Sequence, residues 1–399
     1  NSSPSVQPAS AKYHSSTVAP YAPLHILSGY SFGKGTMLAE EIPVLCERMG
    51  IPAAAITDTH SLVGAVEFVK RAKAAGIKPL IGAEIELPEG GRLVLIARSK
   101  SGYEQLSQLI SSCHLEEPRL YPLGNWERLQ RYSRDLICLT GGNDGPLDRL
   151  IVQGEYEQAI SLLSRLESLY GKSNVYIEIE RSFLPWEILL TKRLLSLAEQ
   201  TGLMAVAGGA VTHGRRDHFP AQDILACVET LCTVDEVIGR KPPRDVGQPA
   251  IDLRPSRALN AERFLRSPRE AAEIFANQNF LLENTLRVAD RCDEDVLPAR
   301  TSLPELCSNP GQALRQATYA GALERHRRVT PELKRRIDHE LDRIVGLNFA
   351  GHFLTIWDAC HWAKKQGILF SGRGSVVDCA VAYCLGISRI DAFEHRLHF

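Results

Sequence analysis

The sequence predicts an α/β protein, a β/α barrel followed by a mixed, mainly helical region. Three observations lead there. From Tyr21 to about Leu203, short apolar runs alternate with amphipathic helical patterns. Repeated βα units lay parallel strands side by side under a cover of helices, as an open sheet or a barrel, and the number of repeats favours the barrel. From Ser256 the pattern turns almost wholly helical. Near the end, Gly367 to Ser388 reads GILFSGRGSVVDCAVAYCLGIS: a short apolar run, a glycine-rich turn and an apolar helical pattern.

Composition narrows the class. At 399 residues the chain can hold two or three domains with their own cores. Hydrophobic content of 44% and charged content of 23% are those of a globular protein. A formal net charge of −1 gives no global basic field, so contact with nucleic acid has to come from local patches. There is no apolar run of membrane-spanning length and no signal-peptide pattern. The ten cysteines form no CxxC pair; the closest are Cys227 with Cys232 and Cys379 with Cys384. Cys46, Cys138, Cys379 and Cys384 sit in apolar runs, as buried reduced thiols do, which points to the cytoplasm and away from a zinc finger.

Residues 1–20 are rich in Ser, Pro and Ala and lack periodicity, the composition of a disordered leader. The chain opens on Asn rather than Met, as a piece of a longer chain would. Strands are expected at 24–27, 53–57, 79–85, 93–97, 136–140, 175–179 and 204–207. Helices are expected at 37–49, 62–75, 103–111, 156–170 and 190–201. Beyond the barrel come a basic cluster at Arg215, Arg216 and His218, a second at Arg240, Lys241 and Arg244, and a connection at 249–255. Short basic runs more often mark a solvated face than a phosphate contact. Helical patterns follow at 271–275 and 284–292, then a Pro-rich linker at 297–310. Thr330 caps a helix that has Pro331 at its first position and a stripe of Leu333, Ile337, Leu341 and Ile344. Another helix runs to about Gln366.

Polar side chains at the expected strand ends would face the barrel mouth. They are His25, Asp58 with His60, Glu84, Asn143 with Asp144, Glu178 with Glu180, and His213. A metal hydrolase would gather such groups around ions. Loop contacts and helix caps account for the same residues, and the residues alone favour that plainer account. In the turn Ser371-Gly372-Arg373-Gly374-Ser375, a strand–turn–helix arrangement would present backbone N–H groups to an anion. Arg373 adds a forked cation and Ser375 a hydroxyl, so phosphate is the natural ligand. Glycines that merely supply positive φ to a tight turn remain the alternative.

The segment GILFSGRGSVVDCAVAYCLGISRID resembles the opening of the nucleotide-binding palm in bacterial C-family polymerases, the DnaE-type DNA polymerase III alpha subunits. The resemblance implies that Arg373, Gly374 and Ser375 bind the triphosphate of an incoming dNTP. Leu24 to Ser31, Ile56 to Phe68 and Gly76 to Glu84 resemble the polymerase and histidinol phosphatase (PHP) domain that precedes this palm. That domain is a distorted β/α barrel whose intact members hold a metal cluster with proofreading exonuclease activity. Here most of the ligand pattern is missing. His25, Asp58 and Glu84 stand at ligand positions, but Leu27 replaces the second His of His-x-His and Lys34 replaces an Asp. Thr59 and Ser182 stand where His is usual, Gly142 where Cys or His is usual, and Ala210-Val211-Thr212 where Asp-x-His is usual. Three ligands cannot hold a cluster whose ions each need about four. The expectation is an empty, catalytically dead PHP site. The form His-x-Leu-Ser-x-Tyr-Ser-Phe is nearer the error-prone, ImuC-type branch.

On this resemblance the PHP-like barrel occupies residues 21–255 and the first part of the palm 256–399. The family's catalytic aspartates lie in a stretch beyond Phe399, so no residue here is expected to be catalytic; Asp378 and Asp391 match no catalytic position. The complete polymerase would use Mg2+, a DNA primer-template and dNTP, with a sliding clamp and mutasome-type accessory proteins as further partners and no membrane. Two other readings stay open: a stand-alone PHP-type phosphoesterase or 3′–5′ exonuclease, and a non-enzymatic interaction module.

Overall fold

The computed structural model describes residues 20–118, 121–237, 259–298, 306–326 and 328–399. The expected leader, the Arg240 to Arg244 cluster and the 249–255 connection lie outside these residues. Contacts divide the chain into two compact units, one ending at Pro298 and the other running from there to Phe399. Helix Asn279–Asp290 places Val288 and Ala289 in the inner cluster of the first unit, and Asn284 Nδ2 donates to the Ala205 carbonyl at 2.7 Å.

In the first unit six strands form one sheet in sequence order: β1 (Ala53–Ile56), β2 (Lys78–Glu86), β3 (Arg92–Ala97), β4 (Leu136–Leu139), β5 (Val175–Glu180) and β6 (Met204–Gly208). Ile26 bridges in parallel to Ile56 at one edge and to Val211, just past β6, at the other. Leu27 N donates to the Val211 carbonyl at 2.9 Å and Thr57 N to the Ile26 carbonyl at 2.8 Å. The run expected as a first strand thus contributes bridges that close the curled sheet into a distorted barrel.

Not all neighbours are parallel. β3 runs antiparallel to both β2 and β4. The reason is the connection: Leu87 to Gly91 form a tight turn, with Leu87 N bonded to the Gly91 carbonyl, and a turn that short can only reverse the chain. The side-chain period of two sorts the strands into layers. Leu80, Val94, Ile96, Leu139, Tyr176 and Val206 line the interior, while Ile81, Leu93, Leu95, Cys138, Ile177 and Ala205 face the covering helices. Short helices at Trp126–Arg131 and Pro146–Gln153, absent from the pattern reading, fill two of the connections.

The second unit packs helices Pro310–Arg325, Pro331–Gly346, Ala350–Lys365 and Ala380–Cys384 around Leu314, Ile337, Leu341, Val381 and Leu385. The predicted cap is present: Leu333 N donates to Thr330 Oγ1 at 3.2 Å, with Pro331 at the first position and the predicted stripe buried. Two expectations fail. Ile368 to Phe370 is not a strand; Leu369 is 86% exposed. A strand needs a neighbour to satisfy its backbone, and among the described residues this unit contains none. The long helix expected after the turn is a 3₁₀ segment at Gly374–Asp378 followed by the short helix Ala380–Cys384. Pro310, where the expected linker ends, opens a full helix, Pro310–Arg325.

Candidate functional site

In the first unit the polar groups meet at one end of the barrel. Glu84 and Glu86 close β2, Glu178 and Glu180 close β5, and all lie in phase with the inward-facing residues of their strands. Because β3 is reversed, its first residue, Arg92, pairs with Glu86 and stands at the same mouth.

His25 bridges two carboxylates, with Nε2 2.8 Å from Glu84 Oε1 and Nδ1 3.0 Å from Glu178 Oε1; all three side chains are sealed from solvent. Burial opposes protonation of His25, but Glu178 and Glu84 outweigh it and push the pKa up to about 10. The imidazolium thus donates from both nitrogens. For Glu84, burial favours the acid form, yet Arg92, the His25 hydrogen bond and Lys34 hold its pKa well below the usual carboxylate range. Lys34 Nζ lies 2.8 Å from Glu86 Oε1 and 3.9 Å from Glu84 Oε2. Thr59 Oγ1 donates to Glu84 Oε2 at 2.6 Å. Arg92 is 3.6 Å from Glu84 and 3.7 Å from Asp144, and Arg263 binds Asp144 at 2.7 Å and Glu180 at 3.0 Å. Gly142, at φ 59°, leaves Glu180 its place: a Cβ there would stand 2.9 Å from Glu180 Oε2.

Of the three expected ligand positions, His25 and Glu84 come together and Asp58 does not join them. Asp58 accepts from Ser28 N at 2.6 Å, Ser28 Oγ at 2.7 Å and Ser31 Oγ at 2.6 Å, which pins the loop after the first bridge. Burial outweighs those bonds and raises its pKa. His60 and His213 point elsewhere. Glu86 N donates to His60 Nε2 at 3.0 Å, and burial pulls the His60 pKa down to about 4. His213 contacts Thr212 Oγ1 and the Ala261 carbonyl.

These residues do not fit a metal cluster. Glu84, Glu178, Glu180 and Asp144 are each engaged by an internal cation, Asp58 is taken up by Ser28 and Ser31, and Lys34, Arg92, Arg263 and His25 bring positive charge among these carboxylates. Among the described residues, no group of three His, Cys, Asp or Glu side chains is placed to hold a metal. Sequence reading singled out Lys34, Glu178, Glu180 and Asp144 but missed Glu86, Arg92 and Arg263. The Gly90-Gly91-Arg92 turn could have flagged Arg92 as the partner of Glu86; Arg263, 83 residues from Glu180, carries no local signal.

In the second unit the turn is open. Arg373, Gly374 and Ser375 are exposed, Gly374 has φ 73°, and a Cβ there would meet nothing within 4 Å. Asp391 caps local backbone, accepting from Phe393 N at 3.0 Å and Glu394 N at 3.1 Å. The basic pair in the first unit is engaged with acids: Arg215 with Asp217, and Arg216 with Glu262 at 3.0 Å.

Residues 23–182 match the PHP domain, and residues 312–399 match the bacterial DNA polymerase III alpha NTPase domain. An error-prone DNA polymerase from Symbiobacterium thermophilum is 35% identical over 397 residues, covering 94% of this chain and 35% of that polymerase. The chain is similar to bacterial DNA polymerase III alpha. The DNA polymerase III alpha subunit of Treponema pallidum is 31% identical over 396 residues, covering 94% of this chain and 32% of that subunit. The chain therefore spans about a third of the length of these curated relatives. Among solved structures, an amidohydrolase from Chromobacterium violaceum aligns with a TM-score of 0.34 and 12% identity over 48% of this chain and 87% of that one. No described helix is long and apolar enough to cross a membrane.

Proposed function

We propose that this chain is the N-terminal part of an error-prone DnaE-type DNA polymerase acting in replication and damage tolerance. The observation that carries the reading is the likeness to an error-prone DNA polymerase across 94% of the chain, together with the open turn at Gly374. The PHP barrel serves as a platform whose mouth is neutralised by its own cations. Asp58, His25 and Glu84 are remnants of a ligand set and hold no cluster. The second unit is the opening of the palm, where Arg373 and Ser375 with the Gly374 backbone grip a triphosphate. The missing long helix means that this grip rests on the guanidinium, the hydroxyl and the turn's own N–H groups.

A complete polymerase would use Mg2+ for the charge that nucleotidyl transfer needs, and no residue of this chain is assigned to hold it. This chain's own residues act before that step, holding the phosphates of dNTP near a DNA primer-template. Sliding-clamp and accessory contacts belong to the complete polymerase, in the cytoplasm. The phosphoesterase alternative is disfavoured by the internal ion pairs at the barrel mouth.

Calorimetric titration of the 399-residue chain with inorganic tripolyphosphate tests the reading. Binding that weakens about tenfold or more in Arg373→Ala is expected, given charge-assisted bonds to phosphate. Equal affinity in the variant and the parent would remove the turn from nucleotide binding.

A further inference from the structure

The turn is exposed, yet the residues just behind it are tied down by one buried carboxylate. Glu340, on helix Pro331–Gly346, is wholly inaccessible in a cluster of Ile337, Leu341, Val381 and Ala382. Its Oε2 accepts from Val381 N at 2.9 Å and from Cys379 Sγ at 3.1 Å, while Oε1 pairs with Arg336 one turn earlier. Arg336 Nη2 donates in turn to the Asp378 carbonyl at 3.1 Å. Bonds from two side chains thus converge on Asp378, Cys379 and Val381, and Asp378 is the last residue of the 3₁₀ segment that begins at Gly374. On the other side of the turn, the Cβ position of Gly372 lies 3.3 Å from the Ile387 carbonyl, so that limb of the loop is packed as well.

A carboxylate is an expensive way to fill an apolar cluster. Burying it demands a partner cation and further donors, and an apolar side chain of the same volume usually does no worse for stability. What the ion pair adds is direction, because the Arg336 fork and the two carboxylate oxygens fix backbone atoms at set distances. We infer that Glu340, held by Arg336, is a positioning residue that sets the geometry of the phosphate-gripping turn at Arg373 to Ser375. Deeper than the surface that touches ligand, the pair holds the far end of the 3₁₀ segment that begins at Gly374. This rests on the reading of the turn as a triphosphate site.

The test uses the 399-residue chain titrated with inorganic tripolyphosphate, with the melting temperature of each variant recorded. Glu340→Gln and Arg336→Ala are each expected to weaken binding by about tenfold. Ile337→Val, a cavity in the same helix, is expected to lower the melting temperature while leaving affinity at the parent value. Arg336→Lys, which keeps the charge but loses the fork, is expected to fall between parent and Arg336→Ala. Parent-like affinity in both Glu340→Gln and Arg336→Ala, with binding lost in Arg373→Ala, overturns the positioning role and leaves the phosphate site standing. No binding by the parent chain, or equal binding by Arg373→Ala, overturns the phosphate site and the positioning role with it. If Glu340→Gln does not fold, the partly exposed Arg336 decides alone.

Discussion

His25 Nε2 lies 2.8 Å from Glu84 Oε1, with neither side chain reaching solvent. Glu178 holds the opposite ring nitrogen, so one imidazolium separates two buried carboxylates. Removing it takes away the cation between them, leaving Glu84 with Thr59 Oγ1 and Glu178 with Gly209 N as donors. We expect His25→Ala to cost roughly 3–5 kcal/mol, the usual effect of breaking a buried pair from one side. Urea unfolding followed by circular dichroism measures it, and a loss below about 1 kcal/mol would show that the mouth relaxes around the gap.

The same trio sets a pH dependence. The His25 pKa, raised from 6.5 to about 10, makes a stabilising contribution that is complete below 6.5 and disappears as pH climbs to about 10. Glu84, depressed below 4.5, contributes stability that is present above 4.5 and is lost as pH falls through its lowered value. Urea midpoints measured from pH 6 to pH 10 should therefore decline, and the decline should shrink in His25→Gln. An identical slope in parent and variant would place the titration elsewhere.

Metal should not matter to the barrel. An ion binding the folded state at a hundred times its Kd adds about 2.7 kcal/mol of stability. With Lys34, Arg92 and Arg263 already on the carboxylates, we expect the melting temperature to be unchanged by EDTA and by added Mn2+ or Zn2+. A rise of several degrees with either ion, abolished in Glu84→Gln, would contradict the internal-cation account.

Gly374 separates backbone geometry from packing. Its φ of 73° disfavours any side chain, but a methyl group there would touch nothing. Gly374→Ala should cost only about 1–2 kcal/mol from the left-handed backbone, and the turn should shift away from that geometry. The measurement is paired: melting temperature for the small stability loss, tripolyphosphate titration for the larger loss of affinity. A variant that binds as the parent does would mean the turn's φ is not what orients its amides.

Much of this could be read from local pattern. The alternating runs from Tyr21 to Leu203 announced strands and covering helices because side-chain period reports which face is buried. Thr330 and Pro331 announced a helix start, since capping chemistry is confined to a few neighbouring residues. Lys34 announced a cation at the barrel mouth, where its Nζ lies 2.8 Å from Glu86 Oε1.

Other features depended on partners far along the chain. Arg92 reaches the mouth only because β3 is reversed, and Arg263 meets Glu180 and Asp144 across a long sequence gap. Ile368 to Phe370 have the composition of a strand, but a strand exists only when a second one satisfies its backbone. Sequence by itself determined the period and the buried faces, both properties of adjacent residues. Tertiary structure alone decided which charges cancel and how Glu340 braces the turn, because electrostatic pairing acts through space and is indifferent to position in the chain.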